Sequence, residues 1–323
     1  MEMQRIAASV AMPSAFETMM HYPFGWVDAE GQPYQERTGK RIRPILLLSC
    51  VKAADGKWQD ALPAAAAVEI LHNFSLVHDD IQDNSDIRHG RDTVWRIWGV
   101  PMAINAGDAL FVMSYRAVEM LRAQGLPDTT VLDVFETYNA TVFELTRGQY
   151  LDMHFETQEN VTVESYVSMV GGKTAALLAG CAKIGALIAG SSMKTADLYS
   201  DFGLNMGIAF QIRDDILGIW GDASETGKSA ATDIQYRKKS VPILYGLDRS
   251  ERLREIYAAE QIDDRDVSEA ITILESVGAK DYALESEKTY YNRSISALDA
   301  ATPTENGREE LIGLVDALFK RSH

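Results

Sequence analysis

The chain has 323 residues, 46% of them hydrophobic, which is enough to bury a sizeable core and carries no compositional sign of disorder. Its 47 acidic against 31 basic residues give a net charge of -16, which excludes general affinity for nucleic acid because phosphate-backbone binding needs basic surface. Any anionic ligand must be held locally, by clustered Lys or Arg or by a metal.

Residues 1–20 carry one Arg, two Glu and no unbroken apolar core of the kind a secretory signal needs, so the expected location is the cytoplasm. Beyond them, apolar residues recur at spacings of three and four, and period-two alternation is scarce. This predicts an all-α protein with helices over 40–53, 60–82, 101–122, 129–155, 163–189 and 195–220, followed by four or five shorter ones after Ser240. The loops between them are short, and no Pro/Gly/Ser linker divides them, so a single domain over 1–323 is expected. The longest apolar stretch, 175–191, is broken by Lys183 and reads as a buried helix rather than a bilayer span. No basic amphipathic helix suggests a stable membrane anchor. Cys50 and Cys181 lie far apart in apolar helical surroundings without a C-x-x-C pattern, and read as buried structural thiols.

Two acidic clusters stand out. The first, Asp79-Asp80-Ile81-Gln82-Asp83, closes an apolar helix. At about 100° per residue, Asp79 and Asp83 lie one above the other and can converge on one cation, with Asp80 to the side. Like charges at that spacing repel, and hard oxygen ligands beside an apolar run favour magnesium bridging to a phosphorylated substrate. The second, Asp214-Asp215, again lies at the polar end of a hydrophobic helix. One Asp-Asp-x-x-Asp is ordinarily a solvated helix end. Two copies, each in an apolar sequence, point to a shared metal and diphosphate site between facing helices of a bundle.

With these clusters go Gly39-Lys40-Arg41-Ile42-Arg43-Pro44, the run from Glu69 to His78, Ile87-Arg88-His89-Gly90, Gly107-Asp108-Ala109-Leu110, Gly148-Gln149-Tyr150-Leu151-Asp152, Lys173-Thr174, and Thr226-Gly227-Lys228 with Lys238. Over nearly its whole length the chain resembles the trans-isoprenyl diphosphate synthases, or polyprenyl synthetases, of the short-chain type that make geranylgeranyl or farnesyl diphosphate. The resemblance implies an isoprenoid synthase helical bundle around a deep central cavity, commonly a homodimer. It also implies head-to-tail condensation of isopentenyl diphosphate with an allylic prenyl diphosphate by ionisation, condensation and elimination.

On the same resemblance, Asp79, Asp83 and Asp214 ligate a cluster of about three magnesium ions, with Asp80, Asp152 and Asp215 close by. Arg88, Lys173, Thr174, Gln211, Lys228 and Lys238 fall on positions that contact the allylic diphosphate or organise the site around it. Gln149 belongs with Asp152 in the supporting shell. Lys40, Arg43, His72 and His89 match the positions that hold isopentenyl diphosphate. No protein nucleophile is needed, and His78 reads as a packed residue rather than a base. Phe74, Leu71, Phe143 and Phe210 are plausible apolar lining. Product length in the family depends on bulk five and four residues before the first Asp, here Phe74 and Ser75. A bulky residue beside a small one, with no insertion in the motif, resembles the pattern of twenty-carbon makers, with farnesyl diphosphate next.

The sequence departs from the family pattern in three places. Gly218 stands where the second motif usually has its third Asp. His89 replaces the middle guanidinium of an Arg-Arg-Gly, with Arg91 as the neighbouring cation to stand in for it. Asp92 occupies a common Pro position, a change with no physical account. Two rival readings fit parts of the pattern. A class I terpene cyclase would use one prenyl diphosphate and would not need Lys40, Arg43 and His72. A non-catalytic subunit of a heteromeric synthase typically loses aspartates from one motif, and this chain keeps both.

Overall fold

The structure, a computed structural model, describes residues 2–34, 41–158, 160–221 and 232–320. Helices account for nearly all of its regular structure. Short α1 (Glu2–Ala7) and α2 (Ser14–His21) precede α3 (Ile42–Ala53) and α4 (Leu62–Gln82). A two-stranded hairpin, β1 (Ile87–Arg88) and β2 (Arg91–Asp92), leads to α5 (Val94–Trp98), α6 (Val100–Glu119) and α7 (Asp128–Glu156). Next come α8 (Val163–Val170), a π-helical turn over Gly171–Ala175, α9 (Ala176–Ile188) and α10 (Met193–Trp220). The C-terminal part holds α11 (Thr232–Gln235), α12 (Val241–Arg249), α13 (Glu251–Ala258), α14 (Asp264–Ser276), α15 (Ala279–Ala300) and α16 (Glu305–Lys320).

Local chemistry explains the main boundaries. Pro63 and Pro101 sit in the first turns of α4 and α6, where a missing N–H costs nothing. The hydroxyls of Thr162 and Ser192 cap α8 and α10 by accepting from Ser165 N at 3.1 Å and Thr195 N at 3.2 Å. Asp263 and Asp266 form a reciprocal capping box at α14. Every residue of α9 but Lys183 is buried, and the helix packs against α3, α7 and α10. The run Val163–Ile188 is long and apolar enough to cross a bilayer by composition, yet its most apolar window is 78% buried inside the protein.

The hairpin is a feature that periodicity did not reveal, because each strand has only two residues. His89 and Gly90 form its turn with φ of 51° and 78°, the paired positive values of a type I′ connection. The side chain of Arg91 binds Tyr22 O at 3.2 Å and Val27 O at 2.9 Å, and stacks over the Tyr22 ring at 3.8 Å. Arg91 is thus tied to the N-terminal segment while it lines the same cleft as His89.

Candidate functional site

The last turn of α4 contains Asp79 and Asp80, Asp83 caps it, and no basic residue offsets them there. Carboxylates at a helix C-terminus oppose the helix dipole, so a cation must come from elsewhere. Asp80 has one: it is 4% exposed and accepts from Arg88 Nε at 2.7 Å. Asp79 is only surrounded. Burial pushes its carboxyl up to about 6, Asp83 and Asp152 push the same way, and Lys173 and Arg88 oppose them. Such a carboxylate gains from a bound divalent cation.

The opposing charge is delivered by the π turn. A Cβ on Gly148 would lie 1.9 Å from Lys173 N, and one on Gly172 would lie 2.7 Å from Glu144 O, so α7 meets this turn in direct backbone contact. That contact sets Asp152, one turn beyond Gly148, against the Lys173 ammonium. Burial alone would lower Lys173, but Asp152, with Asp79 and Asp83 adding, holds it above its ordinary range. π turns inside helices are frequent at functional sites, and here the bulge turns two consecutive side chains to two motifs. Lys173 serves the first. Thr174 donates to Gln211 Oε1 at 3.2 Å, beside the second. Gln149 ties α7 to the end of α4 by donating to Gln82 Oε1 at 2.9 Å.

In the second motif Asp214 is exposed and Asp215 is 4% exposed. Asp215 is saturated by donors: Tyr166 Oη lies 2.9 Å from both its oxygens, and Gln211 Nε2 and Val241 N each lie at 3.2 Å. Burial raises its carboxyl to about 7 despite those bonds. The expected catalytic carboxylates therefore divide. Asp80 and Asp215 are internal anchors, whereas Asp79, Asp83 and Asp214 remain at or near the surface. Tyr166 was missed by sequence reading, since it lies in an apolar run and belongs to no acidic or basic cluster.

A second cleft, of about 80 Å3, is walled in part by the hairpin. Tyr22, Glu69, His72, Asp80, Arg88 and His89 are among its walls. His72 is held well below the ordinary imidazole range by burial, with Arg43, Arg88 and His89 adding. Arg43 is close enough to be felt by both Glu69 and His72, and its buried Nε has no hydrogen-bond partner among the described residues. Arg88, expected with the allylic set, thus stands between the two sets: it influences Asp79 and lines the second cleft.

Lys238 lies 3.1 Å from Asp233 and is largely exposed. Gly218, the departure from the second motif, now has a reason. A Cβ there would lie 2.4 Å from the buried Asp233 carboxylate, so that position must stay bare for α11 to approach. Lys40 and Lys228 lie outside the described residues. Phe74 packs its ring 5.0 Å from Phe111 and 4.8 Å from His78, while Ser75 turns its hydroxyl back to His72 O at 2.8 Å. The aromatic series continues from Phe111 to Tyr115 and Tyr138 at 5.2 and 5.1 Å. His78 fills the notch left by Gly107. Leu71 is core, Phe210 packs near Phe319, and Phe143, expected as lining, is instead 69% exposed on the outside of α7.

The polyprenyl synthetase family profile matches residues 25–274. The chain belongs to the polyprenyl synthetase family. It is 35% identical over 317 residues to a geranylgeranyl diphosphate synthase of Mycobacterium tuberculosis, covering 96% of this chain and 88% of that protein. It is 39% identical over 227 residues to a (2E,6E)-farnesyl diphosphate synthase of Mycobacterium bovis, covering 70% of this chain and 62% of that one. The crystal structure of a polyprenyl synthetase from Streptomyces coelicolor A3(2) superposes with a TM-score of 0.88 at 31% identity, covering 98% of this chain and 95% of that chain. The bundle is therefore the all-α isoprenoid synthase fold of that family.

Magnesium suits the polyprenyl synthetase site as its residues stand. Among the described residues no three Asp, Glu, His or Cys side chains form a cage for a metal. Magnesium does not require one, since it keeps waters and takes one or two carboxylates together with substrate phosphate oxygens. The all-oxygen donors and an Asp79 carboxyl raised by burial beside Asp83 and Asp152 are the observations that fit it.

Proposed function

We propose that this prenyltransferase condenses isopentenyl diphosphate with an allylic diphosphate to make geranylgeranyl diphosphate, with farnesyl diphosphate as the nearest alternative product. The observation that supports this reading is that basic side chains gather in two separate places. Lys173 stands beside the aspartates with Thr174 and Gln211 next to it, and Arg43, Arg88 and His89 gather around His72; the reading takes each as the seat of one diphosphate. A cyclase that ionises a single diphosphate has no use for the second.

In this reading Asp79, Asp83 and Asp214 hold magnesium. Bound there, the metal would neutralise charge growing on the departing diphosphate, which favours the transition state over the ground state. Lys173 and Thr174 orient the allylic diphosphate, and Lys228 and Lys238 add positive charge from the following segment. Lys40, Arg43, His72 and His89 fix isopentenyl diphosphate so that its double bond meets the allylic carbon. Phe74 with Phe111 excludes water that would quench the cation. Five residues of helix separate Phe74 from Asp79, about 7.5 Å, so its ring serves as a floor to the growing chain.

The enzyme acts as a homodimer. Val112, Leu132, Phe143 and Tyr150 expose between 58% and 69% of their surface on α6 and α7, an apolar face suited to a second copy. Its location is the cytoplasm, consistent with two free, buried thiols. The deciding experiment incubates the protein with magnesium, isopentenyl diphosphate and dimethylallyl, geranyl or farnesyl diphosphate in turn, and identifies the dephosphorylated products by mass. A linear alcohol longer than the starter is the expected result. A hydrocarbon or cyclic alcohol formed without isopentenyl diphosphate would overturn the reading.

A further inference from the structure

Tyr166 lies on α8, one turn before the π turn, with its ring buried among Met169, Val170, Ile208, Ile212 and Ile216. Its hydroxyl reaches both oxygens of Asp215 on α10 at 2.9 Å. Asp215 in turn accepts from Gln211 Nε2 and from Val241 N, the first residue of α12. With its nitrogen so engaged, Gln211 turns its oxygen to Thr174 Oγ1. One phenol thus joins three elements: the stretch that carries Lys173 and Thr174, the helix that carries Gln211 and Asp214, and the start of α12, two residues after Lys239. No residue of the second anion cleft belongs to this network.

We infer that Tyr166 is a positioning residue for condensation: through Asp215 it locks α10 against α8, so that Lys173, Thr174 and Gln211 present one fixed geometry to the allylic diphosphate. The inference rests on the function proposed above. It differs from a packing role because the hydroxyl, not the ring, does the locking. Loss of the hydroxyl lets Asp215, and the Gln211 amide bonded to it, shift, and lets the two helices drift, and small displacements of positioning groups are expensive in rate.

The test compares the unmodified protein with Tyr166→Phe, which keeps the ring. The KM for geranyl diphosphate is expected to rise and kcat to fall, each on the order of 10-fold, while the KM for isopentenyl diphosphate stays within about twofold. Calorimetric titration with geranyl diphosphate and magnesium, without isopentenyl diphosphate, should show the same loss of affinity without turnover. The melting temperature should move by no more than about 4 °C. Unchanged constants, or a parallel rise of both KM values with a collapse in melting temperature, would reject the inference. Asp215→Asn provides a second arm. If Tyr166 acts through Asp215, the double variant loses no more activity than the worse single one, and additive losses would show an independent role. An unmodified protein that elongates no allylic diphosphate removes the proposed function and this inference with it. An active protein indifferent to Tyr166→Phe removes the inference alone.

Discussion

The two aspartate pairs look alike in sequence, yet their surroundings divide the work in the same way by different means. At the end of α4 the inner carboxylate, Asp80, is neutralised by a full charge from Arg88. Near the end of α10 the inner carboxylate, Asp215, is met by neutral donors only, and its carboxyl is pushed up to about 7 by burial. In both pairs the preceding Asp is the more exposed residue. In each pair one member is held inside by the protein's own groups and the other is the less enclosed. What differs is the cost of disturbing the anchor: removing a charge from Asp80 strands a guanidinium, whereas changing Asp215 upsets a set of hydrogen bonds.

This contrast can be broken experimentally. The largest effect is expected from Asp79→Asn, which should lower kcat by about 10³-fold while leaving the melting temperature level or raised, because a crowded, half-buried carboxylate has been neutralised. An equal loss of stability would place Asp79 among the anchors. Asp80→Asn should cost about 3 kcal/mol in urea denaturation, since it leaves Arg88 without its charge partner. Asp215→Asn should cost about 2 kcal/mol, because its one amide nitrogen must face either Gln211 Nε2 or Val241 N, both of them donors.

Gly218→Asp restores the usual motif but thrusts a side chain at the Asp233 carboxylate. It should destabilise by about 2 kcal/mol in the same assay, through overpacking and like charge. A gain in both stability and activity would mean that α11 yields freely.

A smaller, pH-dependent effect tests the second cleft. His72 stays neutral in the folded chain because burial, with Arg43, Arg88 and His89, holds it well below its ordinary value of about 6.5. The unfolded chain takes up that proton as pH falls through about 6.5, so the stability this group contributes is present above that pH and lost on acidification. Melting curves from pH 7.5 to 5.5 should show a loss of about 1 kcal/mol that His72→Asn removes. Inorganic pyrophosphate, offsetting the same cations, should diminish it. The mildest change is Phe74→Ala, which should lengthen the product with little effect on turnover of the first condensation. An unaltered product profile would take Phe74 out of the floor.

Much of this was legible in the sequence because helical periodicity and aspartate spacing are local. Helix spacing singles out Asp79 with Asp83 and marks Asp214-Asp215 as a pair, and only the family resemblance separates Asp214 from its neighbour. The role of Asp215 could not be read there, since it depends on Tyr166, a residue of an apolar run that meets it only when α8 crosses α10. Arg88 was legible as a cation but not as one shared between two clefts, because the hairpin that carries it has strands too short for a period. Phe143 shows the opposite failure. Its spacing is that of a core residue, but periodicity identifies an apolar face without saying whether the protein's own interior or a second copy covers it.

The glycine seam between α7 and the π turn also decides which properties of the enzyme can be redesigned. With no room for a single β-carbon at position 148, the spacing of Lys173 and Asp152 cannot be tuned by graded substitution; any side chain there pries the seam open. The Phe74–Phe111–Tyr115 series is made of side chains that meet ring to ring, and each can be shortened alone. The placement of these charges is thus fixed by the main chain, while the aromatic series is a row of interchangeable parts. Libraries can vary the second without reopening the first.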